Sequence, residues 1–216
     1  MHIVITGASR GIGAELMRVY RAQGHRVTGA STTGGAGLLP LDLAAEAPDF
    51  GPLTAEVGSD PVDLLVCNAG VYLDKGHGLE TGYDPTIWAK SMAVNVAGPF
   101  LTVQALLPAL RRADAPRVAI IASAMGSQHR APGGSYIYRS SKAAAVNLAR
   151  NLARDLSAEG FAVGAYHPGW VRTDMGGSEA EISVEDSANG LTARFAALSA
   201  QTTGCFEAWD GSPVPF

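Results

Sequence analysis

Short β-rich runs alternate along this chain with stretches of helical periodicity, and that alternation limits the folds open to it more than any other feature. "HIVIT" at 2–6, "HRVTGA" at 25–30, "VDLLVC" at 62–67, "RVAIIAS" at 117–123, "FAVGAY" at 161–166 and "GCFEAW" at 204–209 read as strands. Between them, apolar residues such as Ile12, Leu16, Val19 and Tyr20 share one helical face. The alternating order predicts an α/β fold: a Rossmann-type, doubly wound parallel sheet of about seven strands with helices on both faces. Residues 31–60 break the pattern with glycine and proline, and a short strand is expected there at 37–40. Long helices rich in small residues are expected over 85–112 and 137–159.

At 216 residues the chain is long enough to bury a substantial core and is expected to form a single domain, 1–216. A net charge of −4 and no basic cluster argue against a nucleic-acid or membrane-surface partner and leave small molecules or other protein chains. No run approaches ~18 consecutive apolar residues and no secretory leader pattern opens the chain, so a soluble cytoplasmic protein is expected. Cys67 and Cys205 fall in no ligand or redox spacing, which implies neither a metal site nor a disulfide framework.

Two motifs carry chemistry. "TGASRGIG", Thr6 to Gly13, follows the first strand and opens the first helix. Gly7, Gly11 and Gly13 allow a sharp turn and a close approach of backbone amides to a phosphate, which the helix N-terminus also favours. The second is "SYIYRSSK" at 135–142. Tyr138 and Lys142 stand four residues apart, one turn along a helix face, whereas Tyr136 at the same spacing meets Ser140. A nearby ammonium is one of the few ways to stabilise a phenolate at neutral pH, so the pair is suited to passing a proton to or from a substrate oxygen.

The glycine motif T-G-x-x-x-G-x-G resembles that of the short-chain dehydrogenase/reductase family, and further matches follow in the family's order over nearly the whole chain. The resemblance implies a cofactor-binding loop at Gly7, Ser9, Arg10, Gly11, Ile12 and Gly13, and an aspartate near the adenine at Asp42, followed by Leu43. It also implies a backbone stretch beside the cofactor at Asn68, Ala69 and Gly70. It assigns Asn95 to a helix turn that holds a water linked to the lysine, Ser123 to the substrate oxygen, and Tyr138 and Lys142 to the catalytic Y-x-x-x-K. Pro168, Gly169, Val171 and Thr173, in "HPGWVRTDM", match the segment that binds the nicotinamide carboxamide. The small size and the ending "GCFEAWDGSPVPF" most resemble the branch of C-factor-like and sniffer-like carbonyl reductases. Ala122 stands where a second serine is usual, and "GSQHRAPGGS" lengthens the interval to Tyr138, so Ser127 remains an alternative hydroxyl.

What the resemblance implies is hydride transfer between a nicotinamide and a carbonyl or alcohol carbon, with Tyr138 as general acid in reduction and base in oxidation. Lys142 lowers its pKa and holds the nicotinamide ribose. No carboxylate closes the second strand at Gly29 to Thr32, and Arg10 resembles the basic residue of NADP-preferring relatives, so NADP is placed ahead of NAD. A homodimer or homotetramer is implied through the helices bearing Asn95 and Tyr138, with Ala143, Ala144, Ala145 and Ala149 allowing close approach. The short segment "DMGGSEAEIS" before the next helix predicts an open substrate cleft; the competing expectation is that "GSQHRAPGGSYI" folds over the site, with His129 or Tyr136 touching substrate. A non-catalytic, dinucleotide-binding signalling or scaffold protein on the same fold stays open. The extended epimerases and dehydratases do not, because the chain is too short for their added substrate domain.

Overall fold

Parallel pairing throughout joins seven strands: β1 (His2–Thr6), β2 (Arg26–Ser31), β3 (Leu39–Pro40), β4 (Leu64–Cys67), β5 (Arg117–Ile121), β6 (Ala162–His167) and β7 (Phe206–Ala208). The structure, a computed structural model, describes residues 1–216. The strands lie in the order β3-β2-β1-β4-β5-β6-β7, with Ile3 of β1 opposite Val27 on one side and Leu64 on the other. The apolar runs Leu64–Cys67 of β4 and 118–121 of β5 follow from coverage on both faces, which leaves no solvated side for polar residues to occupy.

Successive residues of one strand feed two separate cores, as the period of the pleat requires. Val4, Leu65, Val118 and Ile120 point to the face covered by α2 (Gly51–Val57), α4 (Gly98–Leu110) and α5 (Tyr136–Leu156), where they meet Leu53, Leu106 and Ala145. Ile3, Ile5, Leu64 and Val66 point to the face covered by α1 (Gly11–Ala22) and α6 (Val184–Ala197), against Leu16, Tyr20, Leu191 and Phe195. Each fully buried leucine contributes about 1.5–3 kcal/mol relative to exposure. The chain runs from β1 outward to β3 and then returns to β4 beside β1, so the strand order reverses there. A crevice opens at such a reversal, beyond the carboxyl ends of the strands.

Three expectations are modified by the structure. The strand expected at 37–40 is reduced to Leu39–Pro40, because Gly34, Gly35, Ala36 and Gly37 all take positive φ and Pro40 has no N–H to extend the ladder. The helix expected over 85–112 is three pieces in sequence: α3 (Pro85–Met92), a π-helical turn at Ala93–Ala97, and α4. Its apolar residues are not consecutive, yet Pro85–Leu110 reaches a mean hydropathy of 1.5, enough by length and composition to cross a membrane; half of that window is buried inside the protein. Finally, Ala145 and Ala149 are buried in the chain's own core, so they are not the small residues that meet another copy.

Candidate active site

The crevice is a cleft of about 630 Å³ whose floor is the turn after β1. Gly7 takes a φ of +66°, and a Cβ there would stand 2.7 Å from the Ala69 Cα. A Cβ on Gly13 would stand 2.3 Å from the Gly7 carbonyl oxygen. These contacts let the glycine loop lie directly against the turn that follows β4. Asn68 fastens the two, its Nδ2 donating to the Thr6 and Gly7 carbonyls at 3.1 and 2.9 Å, while the Ala69 N–H donates to Thr6 Oγ1 at 3.2 Å.

Most of the residues singled out in the sequence reach this cleft. Gly7, Ser9, Arg10, Gly11, Ile12 and Gly13 line it from the loop, Asp42 and Leu43 from beyond β3, and Asn68, Ala69 and Gly70 from beyond β4. Tyr138 and Lys142 line it from α5, and Pro168 and Thr173 from the segment after β6. Gly169, packed against Ile182 and Trp209, Val171, buried and bridged to Ile182, and the buried Asn95 and Ser123 do not line it. Arg10 is exposed and paired with Asp174 across the cleft mouth. At the end of β2, Ser31 and Thr32 line the cleft, and the Ser31 hydroxyl is buried without a hydrogen-bond partner. The residues fit a dinucleotide: glycines keep the loop backbone bare, and a buried hydroxyl awaits an acceptor or donor where the adenosine ribose would lie.

Tyr138 and Lys142 are both nearly dry, at 8% and 4% exposure. Lys142 Nζ donates to the Ile121 carbonyl at 2.8 Å and stands 5.7 Å from the centre of the Tyr138 ring. Burial pushes the Tyr138 hydroxyl up to about 12; hydrogen bonding with the Ser123 hydroxyl pulls the other way, and Tyr72 adds to the rise. Burial likewise brings the Lys142 ammonium down to about 8. Burial favours the neutral form of each. The Ser123 hydroxyl accepts from the Met125 N–H at 3.1 Å. Ser127 is buried and its hydroxyl makes no hydrogen bond.

Asn95 sits in the π-helical turn, 1% exposed. Its Oδ1 accepts from the Val71 N–H at 2.9 Å, and its Nδ2 donates to the Val71 carbonyl and to Ser141 Oγ, both at 2.9 Å. The wider turn has thus brought an amide side chain between the strand-end segment and α5. Sequence reasoning missed two residues of that segment. Tyr72 stacks on Tyr138 with ring centres 4.2 Å apart, and Asp74 accepts from the backbone at the start of α5. Their partners lie more than 60 positions away, and no local spacing announces such contacts.

The comparisons with known proteins agree with this geometry. Residues 50–182 match the family model described as short chain dehydrogenase. The C-signal protein of Myxococcus xanthus is 39% identical over 162 residues, covering 74% of this chain and 96% of its own. The putative carbonyl reductase Sniffer of Caenorhabditis elegans superposes with a TM-score of 0.83 at 28% identity, covering 100% of this chain and 98% of its own. A carbonyl reductase from Pseudomonas aeruginosa, solved in complex with NADP, superposes with a TM-score of 0.80 at 27% identity, over 100% of both chains. With its parallel sheet, its glycine loop at the strand reversal and its Tyr138-Lys142 pair in the same cleft, the chain belongs to the short-chain dehydrogenase family of NAD(P)-dependent oxidoreductases.

Proposed function

We propose that the protein is an NADP-preferring reductase of small carbonyl compounds, working in reverse as an alcohol dehydrogenase. The observation that carries this reading is the Tyr138-Lys142 pair on the wall of the cleft that the glycine loop floors. When bound, the nicotinamide cofactor supplies the hydride in reduction and accepts it in oxidation. The glycine loop, Asp42, Asn68 to Gly70, Lys142 and Thr173 are the residues that would hold the cofactor. Ser123 orients the substrate oxygen. Tyr138 donates its proton to that oxygen in reduction and takes it back in oxidation. At neutral pH the phenol is protonated, the form in which it can donate to the substrate oxygen in reduction. The preference for NADP rests on the hydroxyls of Ser31 and Thr32, where an acidic residue would repel a 2′-phosphate, and on Arg10 at the cleft mouth. Met175 and Val184 are apolar residues of the cleft lining. This supports small to medium apolar aldehydes or ketones, accepted broadly.

The test is Tyr138→Phe, which keeps the ring and removes the hydroxyl. NADPH oxidation over a panel of aldehydes and ketones is expected to fall at least ~10²-fold, with NADPH binding unchanged. Residual turnover above a tenth of the unmodified protein's would sink the reading. A second reading draws on the likeness to the C-signal protein: a dinucleotide-binding signalling protein without turnover. Tight NADPH binding with no oxidation across the whole panel would favour it.

A further inference from the structure

We infer that Asp74 is a positioning residue for Tyr138, capping the first turn of α5 from the segment that also contacts the glycine loop. The inference rests on the reading above, that Tyr138 is the acid/base. Asp74 is 1% exposed, and no lysine, arginine or histidine forms an ion pair with it. A carboxylate buried in this way needs strong donors. It finds them in the backbone: one oxygen accepts from the Ile137 N–H at 2.9 Å and the other from the Tyr138 N–H at 3.2 Å. These are among the unpaired amides at the positive end of a 21-residue helix, where an anion is favoured.

The helix has no cap of its own. Ser135, the residue before its first turn, takes a left-handed φ of +47°, and its side chain makes no cap hydrogen bond. Its hydroxyl is spent on the Tyr72 hydroxyl instead. Without Asp74, the turn that carries Tyr138 would therefore be the least secured part of α5, since helix ends fray first.

The same short segment does more than cap. Asn68 is bonded to the glycine loop, Val71 exchanges two hydrogen bonds with Asn95, Tyr72 stacks on the Tyr138 ring, and Asp74 holds the Tyr138 backbone. Tyr138 is thereby set in register with the cofactor loop and not only with its own helix. A misplacement of a reacting group by about 1 Å costs on the order of 10²-fold in rate. The consequence of losing the cap is a loss in the chemical step, with cofactor binding spared.

The experiment compares the full-length protein with Asp74→Ala, Asp74→Asn and Tyr138→Phe. It measures kcat, KM for NADPH, and amide hydrogen exchange along α5. For Asp74→Ala, kcat is expected to fall 10-fold or more while KM for NADPH stays within twofold. Asn retains an acceptor oxygen, so Asp74→Asn is expected to recover part of the loss. Exchange at Ile137 and Tyr138 is expected to quicken at least 10-fold in Asp74→Ala, with the second half of α5 unchanged. A kcat within twofold of the unmodified protein overturns the inference, as does a loss shared equally with NADPH affinity or one that Asn restores no better than Ala. Should Asp74→Ala fail to fold, Asp74→Asn carries the same test, with a threefold or larger fall in kcat expected and full turnover overturning it. Persistent turnover in Tyr138→Phe is the separate signature of a failed acid/base assignment. In that event, or if no carbonyl compound is reduced, the exchange arm decides: unaltered protection of Ile137 and Tyr138 in the Asp74 variant overturns the cap.

Discussion

Lys142 is the residue at which folding and chemistry oppose each other most openly. Its Nζ has one protein acceptor, the Ile121 carbonyl, and burial lowers its pKa from 10.5 to about 8. Between those values the unfolded chain binds more protons than the folded one, so this group's contribution to stability rises with pH from about 8 to 10.5. Below about 8 the cost of the buried charge is present in full, on the order of 3 kcal/mol. Lys142→Met removes the charge and keeps the stem. In urea unfolding, the variant is expected to be more stable than the unmodified protein at pH 7, with the gap narrowing by pH 10. A difference independent of pH would contradict a buried, titrating lysine. Tyr138 and Cys67, both raised to about 12 by burial, lose stability above their ordinary values in either chain and drop out of the comparison. The Tyr138-Lys142 spacing is legible in the sequence, but the balance between attraction and desolvation depends on how much of the protein surrounds the pair.

Among the elements, the π-helical turn between α3 and α4 shows how backbone geometry delivers a side chain. Asn95 makes three hydrogen bonds from a fully enclosed position and satisfies both backbone groups of Val71. Asn95→Ala leaves the Val71 N–H and carbonyl without those partners. An unmade buried hydrogen bond costs about 1–3 kcal/mol, so a destabilisation of about 3 kcal/mol is expected from the urea midpoint. A change below about 0.5 kcal/mol would show that water replaces the side chain without loss. The residue stood out in the sequence within "VNVAG", and the resemblance assigned it to an opened helix turn. The apolar run alone reads alike whether its turns are α or π, because the two differ in backbone pairing and not in residue type.

At the scale of the whole molecule, the face of α3 and α4 turned away from the sheet leaves Phe100 and Met92 exposed. Large apolar side chains exposed on one face are suited to a partner surface. With Ala145 and Ala149 committed to the core, contact between copies is expected to fall to outward residues such as Phe100 and Asn147. Light scattering is expected to give a dimer or tetramer of the 22.3 kDa chain, and Phe100→Asp to shift it towards the monomer. A concentration-independent monomer mass for the unmodified protein would refute this.

Strand and helix order, the doubly wound sheet and the glycine loop were all determined by local sequence. Periodicity and turn chemistry act over a few residues, and a run such as "HIVIT" has one way to be buried on both faces. The same holds for Gly7 and Gly13, whose tight approaches admit no side chain. Only the tertiary structure decided that Val171 is buried against Ile182 and that Arg10 faces Asp174. It alone decided that Asp74 and Tyr72 hold the start of α5. Each of these depends on which distant segments share a volume. A buried carboxylate and a helix end 63 positions apart reveal their pairing only when the chain brings them together.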